Sequence, residues 1–429
     1  MSISYFRDVL PSGLRVVTVE APHLHTAFIS VYVRAGSRHE QPSNNGVSHF
    51  LEHMFFRGSE SYPDTVKMNA AVEEAGGNLN GVTTRDHGYY FTPLHPNELE
   101  IGVRILGDML TRPLFTQMEV ERQIILEEML DEVDEKGRDI DLDNLAKKEM
   151  FNGHPLSLKI AGTAASVRAL TEEQLRDHFA RYYVAENLVF AAAGKVSRQR
   201  VLESVRASFD RLPRGKRSSP KNAPPGVRGP SFKFVRHNEA QTAFRLSFRA
   251  VPEHHPDFPA LALIRRILDD GLSSRLPFNI VERRGLAYSV HAGMELFDDL
   301  GLFEIEAASA PEKAAAVFEE VCRTLAEIKT TRIRGEELNR AKRRYRIHLG
   351  FAQDSPGDLA AWFGGTELFR TPDSFEQSIR RVEARSAPRV QRTAQRYFSA
   401  ENLSVIAVGQ NRGIRALRRC VDSARDLLG

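Results

Sequence analysis

TAFISVYVRAG, residues 26–36, returns later in the chain as TAFRLSFRAVP, residues 242–252. Both stretches alternate apolar and polar side chains, the pattern of a half-buried strand. A second pair repeats the relation: YYVAENLVFAAAG (182–194) comes back as YFSAENLSVIAVG (397–409). The first copies begin at 26 and 182 and the second at 242 and 397, so the two displacements agree to within one residue. Two independent matches at one spacing make the chain a tandem duplication of a unit about half its length. Between the copies, RLPRGKRSSPKNAPPGVRGP (211–230) concentrates Pro, Gly, Ser and basic residues, the composition of an exposed connection. The expected organisation is a first domain over 1–210, a linker over 211–230 and a homologous second domain over 231–429.

Within each half, strand patterns such as 14–20, 26–34 and 188–194 alternate with helical ones, clearest at 45–56, 64–76, 96–110, 117–136 and 171–182. This predicts an α+β unit, with helices packed on an antiparallel or mixed sheet. The 429 residues are 41% hydrophobic and 27% charged, with a net charge of only +3, so composition makes no case for nucleic acid or anionic lipid as a partner. Two cysteines, Cys322 and Cys420, argue against a disulfide framework and fit a reducing compartment. The start, MSISYFRDVLPSGLRVVTV, lacks the apolar core of a secretory signal and reads as a turn entering a strand by residue 14. No apolar run approaches the roughly 20 residues of a membrane span. The expectation is a cytoplasmic protein.

VSHFLEHMFFRG, residues 47–58, sets two histidines and a glutamate in an apolar stretch. Residues four apart share a helical face, so His49 and His53 can aim their rings at one point. Two imidazoles so spaced suit Zn²⁺, and Glu52 beside them could take a proton from the water that such an ion activates. The order His-x-x-Glu-His is the inverzincin signature. The bland alternative is a helix end with scattered polar residues. The repeat acts as an internal control: in the second half the three positions fall on Arg265, Leu268 and Asp269. A fold that does without these residues in one copy does not need them for packing.

A catalytic zinc takes a third protein ligand and keeps a position open. The segment TQMEVERQIILEEMLDEVDEK (116–136) offers donors, and Glu121 and Glu128, nearly two helical turns apart, can look the same way. The same segment also reads as a solvated acidic face through Glu127, Glu128, Glu132 and Glu135.

At this point the sequence resembles the pitrilysin-type zinc metallopeptidases, in particular the subgroup that includes mitochondrial processing peptidase and its bacterial relatives. That family follows His-x-x-Glu-His with a distal glutamate about 75 residues on and another glutamate seven positions before it. His53, Glu121 and Glu128 match this layout in VERQIILEE. The strand GGNLNGVTTRDHGYYF (76–91) and RRGLAYSV (283–290) also look like family segments, so the resemblance covers essentially the whole chain. It implies that His49, His53 and Glu128 bind zinc and that Glu52 is the general base. Glu121 would orient a ligand by hydrogen bonding, and the strand around Asn80 and Gly81 would pair with an extended peptide. Tyr288 would stabilise an oxyanion from across a cavity closed by two subunits. One departure stands out. The family has an arginine seven residues before that tyrosine, and here the position is Val281. A heterodimer with a related zinc-free subunit could supply the arginine; a homodimer could not.

Three functions compete, and one of them, a zinc hydrolase for a non-peptide substrate, is disfavoured by the extended strand beside the metal residues. The leading one is a zinc endopeptidase acting on peptides or unfolded segments. The alternative is a non-catalytic scaffold subunit of the same fold, which the complete metal-site residues of the first half disfavour.

Overall fold

The computed structural model describes residues 3–428 except 225, 227, 228 and 332. The chain is α+β and forms two compact units. The first gathers residues up to Met129, Leu158–Lys221 and Gly350–Pro372; the second gathers Leu130–Ser157, Asn222–Leu349 and Asp373 to the end. The stretch 211–230 holds no helix or strand at its described positions, and residues 225, 227 and 228 of it lie outside the described residues.

The first sheet contains β1 (Ser4–Val9), β2 (Arg15–Glu20), β3 (Ala27–Val33), β4 (Asn80–Thr83), β5 (Gly88–Leu94) and β6 (Leu188–Gly194), in the order β1-β2-β6-β3-β5-β4. All neighbours are antiparallel except β2 and β6. The second sheet contains β7 (Ser231–Arg236), β8 (Thr242–Ala250), β9 (Ser289–Leu296), β10 (Gly301–Ser309) and β11 (Leu403–Gly409), in the order β7-β11-β8-β10-β9. Its one parallel pair is β7 with β11. Apart from β1, the two orders correspond strand for strand, so the duplication read from TAFISVYVRAG and its copy is also a duplication of topology.

The helices of the first half are α1 (Val47–Phe55), α2 (Thr65–Glu74), α3 (Leu99–Thr111), α4 (Met118–Glu128), α5 (Leu142–Met150), α6 (Ala164–Ala169), α7 (Glu172–Tyr182) and α8 (Arg198–Ser208). In the second half, α9 (Phe258–Leu268) follows β8 as α1 follows β3. Three local expectations are corrected. The helix expected over 117–136 stops at Glu128, tightens into a 3₁₀ turn at Met129–Glu132 and then reverses. The reversal is set by Asp134, whose carboxylate accepts the Lys136 and Arg138 amides around Gly137 at φ 71°. The strand read over 76–91 is a hairpin, because the Thr84 hydroxyl donates to the His87 carbonyl at 2.7 Å and turns the chain back. The strand β1 was not foreseen.

A fourth correction concerns burial. β3 reads as half-buried, yet both of its faces are covered. Ala27, Ile29, Val31 and Val33 belong to the main hydrophobic core of the first unit. The other face carries Phe28 and Tyr32, which lie against Gly357, Gly364 and Gly365 of the 350–372 segment. In the second unit, Leu145 and Ala146 of α5 pack on Ile406 and Val408 of β11. Each sheet is thus closed on its second face by a segment drawn from the other half of the sequence.

Candidate metal centre

Helix α1 buries Val47, Phe50, Leu51, Met54 and Phe55, one apolar stripe at i, i+3, i+4 spacing. The polar residues His49, Glu52 and His53 are left on the side that meets α4 and β4. The start of the helix is fixed from outside it. Gly46 at the N-cap has φ 95°, a left-handed backbone for which glycine lacks the usual Cβ penalty. The buried Glu40 carboxylate accepts the Gly46 amide at 2.7 Å, the Ser48 amide at 2.9 Å and Asn45 Nδ2 at 2.8 Å. A negative charge there also meets the positive end of the helix dipole. In the first turn, Ser48 Oγ lies 3.1 Å from Nε2 of the buried His178.

His49, His53 and Glu128 bring one ligand atom each within 4.8 Å of one another. Glu128 Oε2 is 3.6 Å from His53 Nε2 and 3.8 Å from His49 Nε2, and the two ring centroids are 4.7 Å apart. Atoms that each sit about 2.0–2.1 Å from a tetrahedral zinc lie roughly 3.4 Å from one another. Glu128 Oε2 is thus close to that spacing from each imidazole, and two imidazoles with a carboxylate form a donor set that zinc accepts, so the three residues fit the ion. His49 Nδ1 is buried with no hydrogen-bond partner among the described residues. A second acidic group, Asp143, Glu295 and Glu304, surrounds Lys147 instead, whose Nζ lies 2.9, 2.5 and 3.1 Å from the three carboxylates.

Charge is distributed unevenly over the centre. Burial, then the neighbouring His53, pushes His49 down to about 4, so its ring is neutral. Burial also works against a proton on His53, but the hydrogen bonds to Glu121 and Glu128 outweigh it and raise the ring to about 9. Burial raises Glu121, yet its bonds from His53 and Arg57 win and hold it low. Glu128 is held low first by its hydrogen bond with His53. Glu52 moves the other way, pushed up by burial and by the charge of Glu128 against the bond from Thr83.

The remaining residues singled out from the sequence fall as follows. Glu121 Oε2 lies 2.9 Å from His53 Nδ1, so it faces the same ring as Glu128 from seven residues earlier on α4. Asn80 and Gly81 open β4, the last strand in its sheet order, which among the described residues pairs only with β5. Asn80 Nδ2 donates to the Asn78 carbonyl at 3.1 Å. Tyr288 belongs to the second unit and is 85% exposed. Val281 sits in the helical turn Pro277–Glu282, and Arg284 is tied to Glu320 at 2.5 Å. Sequence reasoning missed three contacts. Arg57, one turn after His53, donates to Glu121. The Thr83 hydroxyl donates to Glu52. Glu40 caps α1. The spacing of four between His53 and Arg57 was the one visible signal.

A duplicated α+β architecture with a metal-capable two-histidine, one-glutamate centre in its first half defines the class. The sequence profile described as "Insulinase (Peptidase family M16)" matches residues 15–164, and "Peptidase M16 inactive domain" matches 169–345. An uncharacterized zinc protease of Mycobacterium bovis is 32% identical over 401 residues, 92% of this chain and 90% of its own. The chain belongs to peptidase family M16. A probable mitochondrial-processing peptidase subunit beta of Arabidopsis thaliana is 27% identical over 93% of this chain and 77% of its own. In fold, the chain is similar to a protease from Helicobacter pylori, with a TM-score of 0.88 and 20% identity over 95% of this chain and 99% of that one. Among the described residues, no helix is long and apolar enough to cross a membrane.

Proposed function

We propose that the chain is a zinc-dependent endopeptidase that hydrolyses peptides or unfolded segments, in a cavity formed with a second subunit. The observation that carries this reading is the convergence of His49, His53 and Glu128 beside the Glu52 carboxylate, in a chain whose relatives include proteins named zinc proteases. His49, His53 and Glu128 would hold the ion. Zinc would supply a Lewis acid that polarises the scissile carbonyl and makes water more acidic. Glu52 takes the proton of the attacking water and later delivers it to the leaving nitrogen. Burial and the charge of Glu128 push its carboxyl up, the direction that makes a carboxylate a better proton acceptor. Glu121, backed by Arg57, holds His53 Nδ1 so that Nε2 is the nitrogen left for the metal. The free edge of β4 pairs with an extended substrate, which reads backbone more than side chain.

The test separates base from ligand. The purified chain should carry one zinc per molecule, and a His49→Ala, His53→Ala double variant should carry none. Glu52→Gln should keep its zinc and lose at least ~10²-fold in turnover. Retained zinc in the double variant would sink the metal assignment, and full activity in Glu52→Gln would sink the mechanism.

The partner reading rests on Val281 and Tyr288. Tyr288 is available to another molecule, and an arginine of a related zinc-free subunit would complete the oxyanion site. A missing oxyanion donor costs ~10²–10³ in turnover, so the chain alone should be slow. A Val281→Arg variant should recover part of that loss on an unstructured peptide. Equal activity of the unmodified chain with and without a candidate partner would remove the heterodimer and leave the zinc chemistry standing.

A further inference from the structure

We propose that Thr83 is a positioning residue for Glu52, so that β4, the strand on which a substrate would lie, also aims the base. This rests on the peptidase reading above. Side chains two apart on a strand point to the same side, so residues 81 and 83 of β4 share one face. That face meets Glu52. A Cβ on Gly81 would stand 2.9 Å from Glu52 Cγ and 3.0 Å from its Oε1, with Phe56 Cζ also 3.0 Å away. Two residues on, the Thr83 hydroxyl donates to Glu52 Oε2. The glutamate stem therefore crosses the strand at the one position without a side chain, and its carboxylate is held by the next residue on that face.

The hydrogen bond supplies what α1 cannot. The terminal torsion of a glutamate is broad and two-fold, so the helix backbone leaves the carboxylate plane undetermined. A donor on Oε2 selects that plane. Because the donor rides on β4, the plane of the base is referenced to the strand that would carry the peptide.

Two measurements on the full chain decide the matter. The first needs neither zinc nor activity. In chelator-treated protein, Thr83→Val, Glu52→Met and the double variant form a thermal-unfolding cycle. If the side chains are bonded, the double variant's drop in Tm is smaller than the sum of the two single drops. Additive drops would overturn the contact. The second uses zinc-loaded protein and an unstructured peptide. Thr83→Val should lower kcat by about 10- to 100-fold with KM nearly unchanged and zinc retained, whereas Thr83→Ser should keep most of the turnover. In a Glu52→Gln background, Thr83→Val should cost nothing further. A Thr83→Val variant with parental kcat, or a Thr83→Ser variant as impaired as the valine, would overturn the positioning role. A fully active Glu52→Gln variant would instead overturn the peptidase mechanism, while the unfolding cycle would still report whether Thr83 holds Glu52.

Discussion

His53 is oriented for a metal when one ring nitrogen is bare and the other is held. Glu121 holds Nδ1 at 2.9 Å, and Arg57 holds Glu121. Replacing the carboxylate by an amide weakens the acceptor and disconnects Arg57 from a full charge. Glu121→Gln should therefore weaken zinc binding by about 10- to 100-fold while leaving the fold intact, as read by competition with a chelator. Unchanged affinity would mean that packing alone orients His53. At this scale the sequence was informative where spacing along one helix sufficed. His49 with His53, and Glu121 with Glu128, each pair within a single helix, and both pairs could be read from their separations. Arg57 and Glu121 are 64 positions apart, and Thr83 and Glu52 are 31 apart. No local periodicity encodes such meetings.

Helix α1 owes its position to an apolar stripe and to a cap that is not its neighbour. The stripe was visible in VSHFLEHMFF; the cap, Glu40, was not, because a carboxylate six residues before Gly46 reaches it only after the intervening chain has folded back. Glu40→Ala would leave the Gly46 and Ser48 amides without their acceptor in a buried place. Losing hydrogen bonds to a buried charge should cost about 2–3 kcal/mol, on the order of 2–3 °C in Tm for a chain of this length. Calorimetry of the metal-free chain checks this, and zinc affinity should fall with it because both histidines ride on α1. A Tm within a degree of the parent would show that the cap is dispensable. The end of α4 teaches the complementary lesson. Its acidic run continues past Glu128, but the Asp134 turn competes with further helix and wins.

Across the molecule, the two halves of the sequence are not the two compact units. Residues 350–372 cover the Phe28 and Tyr32 face of the first sheet, and α5 covers the Ile406 and Val408 face of the second. A fragment ending at Lys221 therefore lacks the cover for Phe28, Tyr32 and Ala191, all on strands that lie within the first unit. Expressed alone, it should unfold without a cooperative transition and bind a hydrophobic dye. Joining 350–372 to it through a flexible linker should restore a cooperative transition. A fragment that unfolds cooperatively without that segment would show that one covered face is enough.

Duplication, α+β class and the grouping of His49, Glu52 and His53 were legible in the chain itself, because repeats, period-two strands and period-3.6 helices are patterns of near neighbours. The comparison of the two halves even separated the candidate metal-site residues from the fold, since Arg265, Leu268 and Asp269 stand where they would be. The rest was decided in three dimensions. An alternating strand looks the same whether its second face meets water or a borrowed segment, so the exchange between halves left no mark in β3 or its copy. The hold of Arg57 on Glu121, of Thr83 on Glu52 and of Glu40 on α1 depends on which elements come within about 3 Å of each other, a distance that hydrogen bonds require and that only packing sets.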